Sequence, residues 1–309
     1  MPARRSSRRF ALLATATGLA LALSGCAGGA GASPAESSAS THEVTHARGT
    51  TAVSTAPQRV VTLEPLELDT AVAVGITPVG AAVANMVNGV PSYLGVDGVA
   101  PVGTVSEPDL EAIAALKPDL ILGTESRHSG LYDQLSAIAP TVFIATQADP
   151  WRDNAALIGD ALGREDDVKK AVDAVDQRCD EIKAAHDLTG KTAEMIRPRD
   201  ETTLSLYGPV SFAGSLLECV GYTIPAHEWE DGLQADISPE NIASATADAV
   251  FVTTADVNDP SAVPAAITQN AAAFPVVTLV DTSTWVAGVG PKGAQSVLDD
   301  IETFLATGK

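Results

Sequence analysis

Aromatic residues make up only 4% of the 309, and basic residues are outnumbered: 19 Lys plus Arg against 39 Asp plus Glu leave a formal net charge of -20. So acidic a chain excludes nucleic acid as an expected partner, because phosphate backbones are held by clustered Lys and Arg. Histidine numbers five. A bare Zn or Mn centre wants several His and carboxylates converging, so carriage of free metal is disfavoured and no metal ligand is assigned. The motifs G-x-S-x-G, H-E-x-x-H, the P-loop and G-x-G-x-x-G are all missing in complete form, and Gly288-Val289-Gly290-Pro291-Lys292-Gly293 resembles a phosphate loop only loosely. No catalytic residue is assigned.

Long apolar runs are missing as well. The uncharged stretch Phe10 to Gly25 falls short of the roughly 20 residues of a membrane span but suits a signal-peptide core, and Arg4, Arg5, Arg8 and Arg9 precede it. Residues 1–25 are therefore expected to be a leader. Leu23-Ser24-Gly25-Cys26 resembles the lipobox of bacterial lipoproteins, which makes Cys26 the expected lipidation site and the extracytoplasmic face of the membrane the expected location. Ser7-Arg8-Arg9-Phe10 also resembles a twin-arginine signal without the usual spacer, so the export route stays open. Residues 26–56, rich in Gly, Ala, Ser and Thr, read as lipid anchor and flexible tether, with His42 and His46 solvated inside it. Cys179 and Cys219 remain. The compartment permits a disulfide, but they fall in separate helical patterns, and two buried free thiols are the plainer expectation.

From Arg59 onward short β-rich apolar runs alternate with helical patterns, the signature of βαβ units and a parallel sheet. Trp151 to Leu162 and Glu165 to His186 interrupt the alternation with a long helical stretch in which Val168, Val172, Val175, Cys179 and Ile182 recur at 3/4 spacing. After it the alternation resumes. At an offset of 129 residues Glu111-Ala112-Ile113-Ala114 meets Glu240-Asn241-Ile242-Ala243, and Pro118 to Thr124 meets Ala247 to Thr253. Val74-Gly75 and Val220-Gly221 also correspond, each followed by a Pro. The expected fold is α/β: two Rossmann-like α/β lobes joined by a long connector helix, with residues 57–148 in the first lobe, 149–190 in the connector and 191–309 in the second. The ligand cleft is expected between the lobes, at strand C-terminal ends.

The stretches Pro57 to Leu63, Leu68 to Gly80, and Val102-Gly103 through Glu107-Pro108-Asp109-Leu110-Glu111 to Ile121 resemble the helical-backbone class of periplasmic binding proteins, the substrate-binding lipoproteins of ABC importers for ferric siderophores, haem and cobalamin. Arg127-His128, Leu131 to Leu135, Met195-Ile196-Arg197-Pro198 and Leu206-Tyr207-Gly208 are similar to the ferric-siderophore branch. The resemblance implies a lipid-anchored binder, not an enzyme. It would carry iron(III) as its siderophore complex, hydroxamate type, with no cofactor of its own. Its implied partners are the ferric siderophore, an ABC permease dimer with its ATPase, and the membrane through the lipid anchor.

Glu111 and Glu240 match the two acidic residues with which this class docks onto Arg pockets of the permease, where a pseudo-twofold pair of carboxylates meets a twofold pair of guanidiniums. Helix-start stabilisation would place an acid there as well, with Ser238 as cap and Pro239 as first helical residue. Arg127 follows a strand, where a cleft residue belongs, and Arg197 lies on the first strand of the second lobe. Their forks suit the oxygen edges of a ferric chelate. Arg199, in a turn, reads as solvated. Tyr207, Trp229 and Trp285 are candidates for an aromatic wall, each with core packing as the alternative. Haem is the alternative ligand within the class, with Tyr207 or His128 as axial ligand. From another class comes an extracytoplasmic hydrolase, which ester or phosphate turnover would reveal.

Overall fold

The computed structural model describes residues 40–85, 87 and 89–308. The expected leader and Cys26 lie outside the described residues. Where the composition predicts a tether, the structure has a hairpin: β1 (Thr41–His46) pairs antiparallel with β2 (Gly49–Ser54). Its alternation of Thr with Val carries β propensity that a count of small polar residues conceals. Val44 and Val53 are fully buried, and Ala47 N–H donates to the Phe143 carbonyl at 3.1 Å. His46 is buried and its Nδ1 accepts from Phe143 N–H at 3.2 Å, while His42 Nε2 lies 2.7 Å from the Asp160 carbonyl. Both histidines are structural, not solvated.

The first sheet contains β3 (Val60–Thr62), β4 (Gly80–Val83), β5 (Ala100–Thr104), β6 (Leu120–Thr124) and β7 (Thr141–Ile144), all parallel in the order β5-β4-β3-β6-β7. The second contains β8 (Ala193–Pro198), β9 (Leu204–Tyr207), β10 (Gln234–Ile237), β11 (Ala249–Thr254) and β12 (Val277–Asp281), in the order β10-β9-β8-β11-β12. Here β8, β11 and β12 run parallel, but β9 and β10 are antiparallel. For β9 the reason is the short turn after Pro198: a parallel return needs a crossover of a dozen or more residues, and there is room only for a hairpin; β10, which follows after α7, then runs in the direction of β8.

The helices are α1 (Pro65–Ala73), α2 (Leu110–Ala115), α3 (Glu125–His128), α4 (Tyr132–Ser136), α5 (Trp151–Leu162), α6 (Glu165–Ala185), α7 (Phe212–Cys219), α8 (Ala265–Gln269), α9 (Thr282–Trp285) and α10 (Pro291–Thr307). Strand alternation assigns the layers. In β6, Leu120 and Leu122 face a core shared with α1, α5, α6, α7 and α10, while Ile121 faces a separate cluster with α2 and α4. Likewise in β11, Ala249 and Phe251 face the shared core, and Val250 and Val252 face the opposite side with α8. Both sheets are buried on both faces, which is why their strands read as continuous apolar runs.

The internal repeat is structural. β6 and β11 each lie beside the first strand of their sheet, and the aspartates before them do the same work: Asp119 accepts from Gln58 N–H and Arg59 N–H, Asp248 from Thr192 N–H. The corresponding glycines close helices identically. Gly75 (φ +80°) and Gly221 (φ +109°) occupy the position after the C-cap of α1 and α7, and the next residue donates back to Ala71 or Leu217. Together with the glycine's own N–H, which donates to Val72 or Glu218, this pair of hydrogen bonds to the last turn requires a left-handed residue, which glycine adopts without a Cβ clash.

From β7 the chain reaches the second sheet through α5 and α6. Three acids, Glu165, Asp166 and Asp167, open α6 and complement its dipole, and its buried residues are Val168, Val175, Cys179 and Ile182. The expectation of two free thiols is corrected here: packing of α6 on α7 brings the Cα atoms of Cys179 and Cys219 within 5.6 Å, and the two form a disulfide. Among the described residues no helix is long and apolar enough to cross a membrane.

Candidate ligand-binding site

The main cavity, about 770 Å³, is lined by residues that follow the strands of both sheets. Glu64 follows β3, Asn85 follows β4, Ser106 follows β5, Arg127 follows β6 and Gln147 follows β7. From the second sheet come Arg197 near the end of β8 and Tyr207 at the end of β9. Strand carboxyl ends are where an α/β sheet leaves its loops free to be functional.

The wall carries three guanidiniums, Arg127, Arg197 and Arg199, against the carboxylates of Glu64 and Asp149. Arg199 is exposed, as expected, and also borders the cavity. Arg127 is half exposed, and its Nε lies 2.9 Å from Oε1 of Glu64, whose side chain is 2% exposed. Gln147 Nε2 donates to the other Glu64 oxygen. Behind it Glu67 is completely buried, with Oε1 accepting from the Thr124 hydroxyl at 3.4 Å and Oε2 lacking a partner. Burial drives both carboxyls upward, Glu67 well above the usual range because Glu64 adds repulsion, while Arg127 pulls Glu64 back only in part. Arg197 donates to the Tyr207 hydroxyl at 3.2 Å.

The aromatic part of the wall differs from expectation. Trp151 and Phe212 line it, packed edge to face at 5.6 Å, and the buried Trp151 Nε1 has no acceptor among the described residues. Trp285 reaches the cavity with an edge but is a core residue, 1% exposed, stacked on Phe251 at 4.8 Å and donating to Asp300 at 2.8 Å. It sits in α9 rather than in a loop. Trp229 does not line the cavity; it packs on His227 and Gly208, and His227 Nε2 lies 2.9 Å from the buried Glu194. His128 is also closed off. Its Nδ1 accepts from Thr124 N–H at 3.1 Å, so its Nε2 donates to the Val105 carbonyl at 2.9 Å, and burial depresses its pKa. A neutral ring with both nitrogens engaged cannot serve as a haem ligand.

Glu111 and Glu240 are exposed, far from these contacts in sequence, each on the helical turn that precedes β6 or β11. Asp109 caps α2, accepting from Glu111 N–H and Ala112 N–H. Ser238 does not cap its turn; its hydroxyl and the Glu240 backbone hold the Glu240 carboxylate below its usual range. Among the described residues no three of His, Cys, Asp and Glu converge so as to hold a metal ion.

Sequence reasoning missed Glu64, Glu67, Gln147, Trp151 and Phe212. The available signal was Glu64-Pro65: an acid placed directly after a buried strand, at the mouth of a helix, is where α/β folds put site residues.

Residues 60–273 match the family described as periplasmic binding protein. The chain is 34% identical over 307 residues to the probable siderophore-binding lipoprotein YfiY of Bacillus subtilis, covering 92% of this chain and 94% of that one. It is 30% identical over 257 residues to the Fe(3+)-citrate-binding protein YfmC of the same organism, covering 80% of each. Among solved structures, Staphylococcus aureus SirA complexed with staphyloferrin B superposes with a TM-score of 0.71 at 27% identity, over 86% of this chain and 99% of that one.

Proposed function

Because the chain belongs to the periplasmic binding protein family, we propose that it is a substrate-binding lipoprotein that captures a ferric siderophore outside the cytoplasm and hands it to an ABC importer, without covalent chemistry. The names of its relatives support the cargo class. The observation that carries the reading is the cavity itself: three arginines at strand ends, in a chain of net charge -20, concentrate positive charge where the acidic remainder repels an anion. The iron is cargo, its coordination shell filled by the chelator, and the protein grips the periphery. Arg127, Arg197 and Arg199 supply forks to carboxylate or catecholate oxygens, Tyr207 a hydroxyl, and Trp151 with Phe212 an aromatic surface.

The wall also selects among chelates. Three hydroxamates leave ferric iron neutral, whereas citrate-type and catecholate groups leave the complex anionic. Guanidiniums are repaid for desolvation only by the anionic kind, so the proposed cargo is an anionic ferric chelate and the hydroxamate class takes second place. Cys26 anchors the protein through lipid, and Glu111 with Glu240 faces the permease.

Fluorescence of Trp151 and Trp285, both at the cavity, reads the test. Ferric citrate and a ferric catecholate should quench saturably at submicromolar concentration, a neutral ferric tris-hydroxamate more weakly, and haem not at all. Absence of quenching by every ferric chelate would overturn the proposal.

A further inference from the structure

Glu64 and Glu67 are unexplained by ligand contact alone. Glu67 has no access to the cavity, and of the two Glu64 oxygens one accepts from Gln147 while the other lies 2.9 Å from Arg127 Nε as an ion pair, with no hydrogen-bond donor among the described residues. Two carboxylates buried this completely face one positive charge, Arg127 from α3. The other groups packed around them are neutral: the Thr124 hydroxyl from β6, the Gln147 amide after β7, and the His128 ring behind Arg127. Arg197, Arg199 and Asp149 share the cavity with Glu64, and among the described residues none of them is hydrogen-bonded or ion-paired to either carboxyl. A second buried negative charge would be uncompensated, so the pair retains a proton.

The geometry also aims Arg127. Its Nε is paired in charge with Glu64 at 2.9 Å, while the side chain is half exposed and lines the cavity, which leaves a guanidinium edge for a ligand. An anion seated on that edge draws on the same guanidinium charge that stabilises the Glu64 carboxylate, and it repels that carboxylate directly. From this we propose, on the reading that the cargo is an anionic chelate, that Glu64 is a positioning residue for Arg127 and that the Glu64–Glu67 pair takes up a proton when the chelate binds. Capture is then linked to pH. Binding that takes up protons strengthens as pH falls, by at most about tenfold per pH unit for one proton.

Isothermal titration with ferric citrate and with ferric staphyloferrin B, in buffers of different protonation enthalpy, counts the protons. Because such chelates titrate themselves, the readout is the difference between wild type and Glu64→Gln, a variant that keeps an acceptor for Arg127 but cannot change charge. Wild type should take up more protons than the variant and show the steeper gain in affinity from pH 8 to pH 6. A residue that merely held the loop in place would change affinity at every pH alike. Equal proton uptake by the two proteins overturns the coupling alone. Binding of neither chelate by wild type overturns it together with the anionic-chelate reading. Should Glu64→Gln not fold, Glu67→Gln leaves the Arg127 contact intact: the infrared difference spectrum of wild type minus this variant at neutral pH, in which the bands of the other buried carboxyls such as Asp69 cancel, should show a buried carboxylic acid C=O band, and a difference spectrum without that band overturns the shared proton.

Discussion

Asp69, with no access to water, accepts from Lys292 N–H, Gly293 N–H and the Tyr93 hydroxyl, each at 2.8 Å. It is a residue of α1 that caps α10. Its replacement by Ala strands two amides and a phenol in the interior, and urea unfolding should show a loss of about 2–4 kcal/mol. Burial outweighs these donors and lifts the carboxyl to about 7 from 3.8. A carboxyl raised on folding binds its proton more tightly in the native state, so unfolding releases it, and this contribution to stability falls as pH rises across that window. The urea midpoint of wild type should therefore decline from pH 5 to pH 7 more than that of Asp69→Ala. Side chains of this kind define what the chain does not disclose. Arg127 and Tyr207 were legible as strand-end residues and the structure places both on the cavity. For Trp285 the sequence left cavity wall and core as alternatives, because what decides for the core is its packing on Phe251 and its bond to Asp300, partners distant or unmarked in sequence.

Among the elements, most strands that alternate with helices were legible from Val60 to the last helix, since burial on both faces writes a continuous apolar run; β5, Ala-Pro-Val-Gly-Thr with one buried residue, was not. Strand β9 was legible as well, but not its antiparallel direction, and β10 and the β1–β2 hairpin were not legible. Those three strands are rich in polar residues, and what makes them strands is the neighbour each pairs with. The Cys179–Cys219 bond was also beyond reach, because helical periodicity says nothing about which helices touch. It joins residues 40 apart in sequence. Replacing both cysteines by Ala should cost about 3 kcal/mol in urea unfolding, most of it through the greater freedom of the unfolded chain, with the fluorescence titration unchanged.

Across the whole molecule the repeat sets Glu111 and Glu240 at corresponding places on the two lobes, ahead of β6 and β11. Reversing both charges to Lys should abolish uptake of radioactive iron by cells while leaving binding by the purified protein within twofold of wild type, since neither side chain lines the cavity. Loss of binding as well would assign them to the fold instead.

The bond between Asp69 and the start of α10 spans 223 residues. A chain emerging N-terminus first exposes that carboxylate long before its partners exist, and until they arrive the first lobe has an anion where its core should close. The contact has the long loop closure that makes association slow, so it belongs to the final stage of maturation. A nascent or truncated protein lacking the last helix would be caught at that stage, with α1 unsealed and open to proteases, and completion of the carboxyl terminus is what releases the molecule from that window of vulnerability.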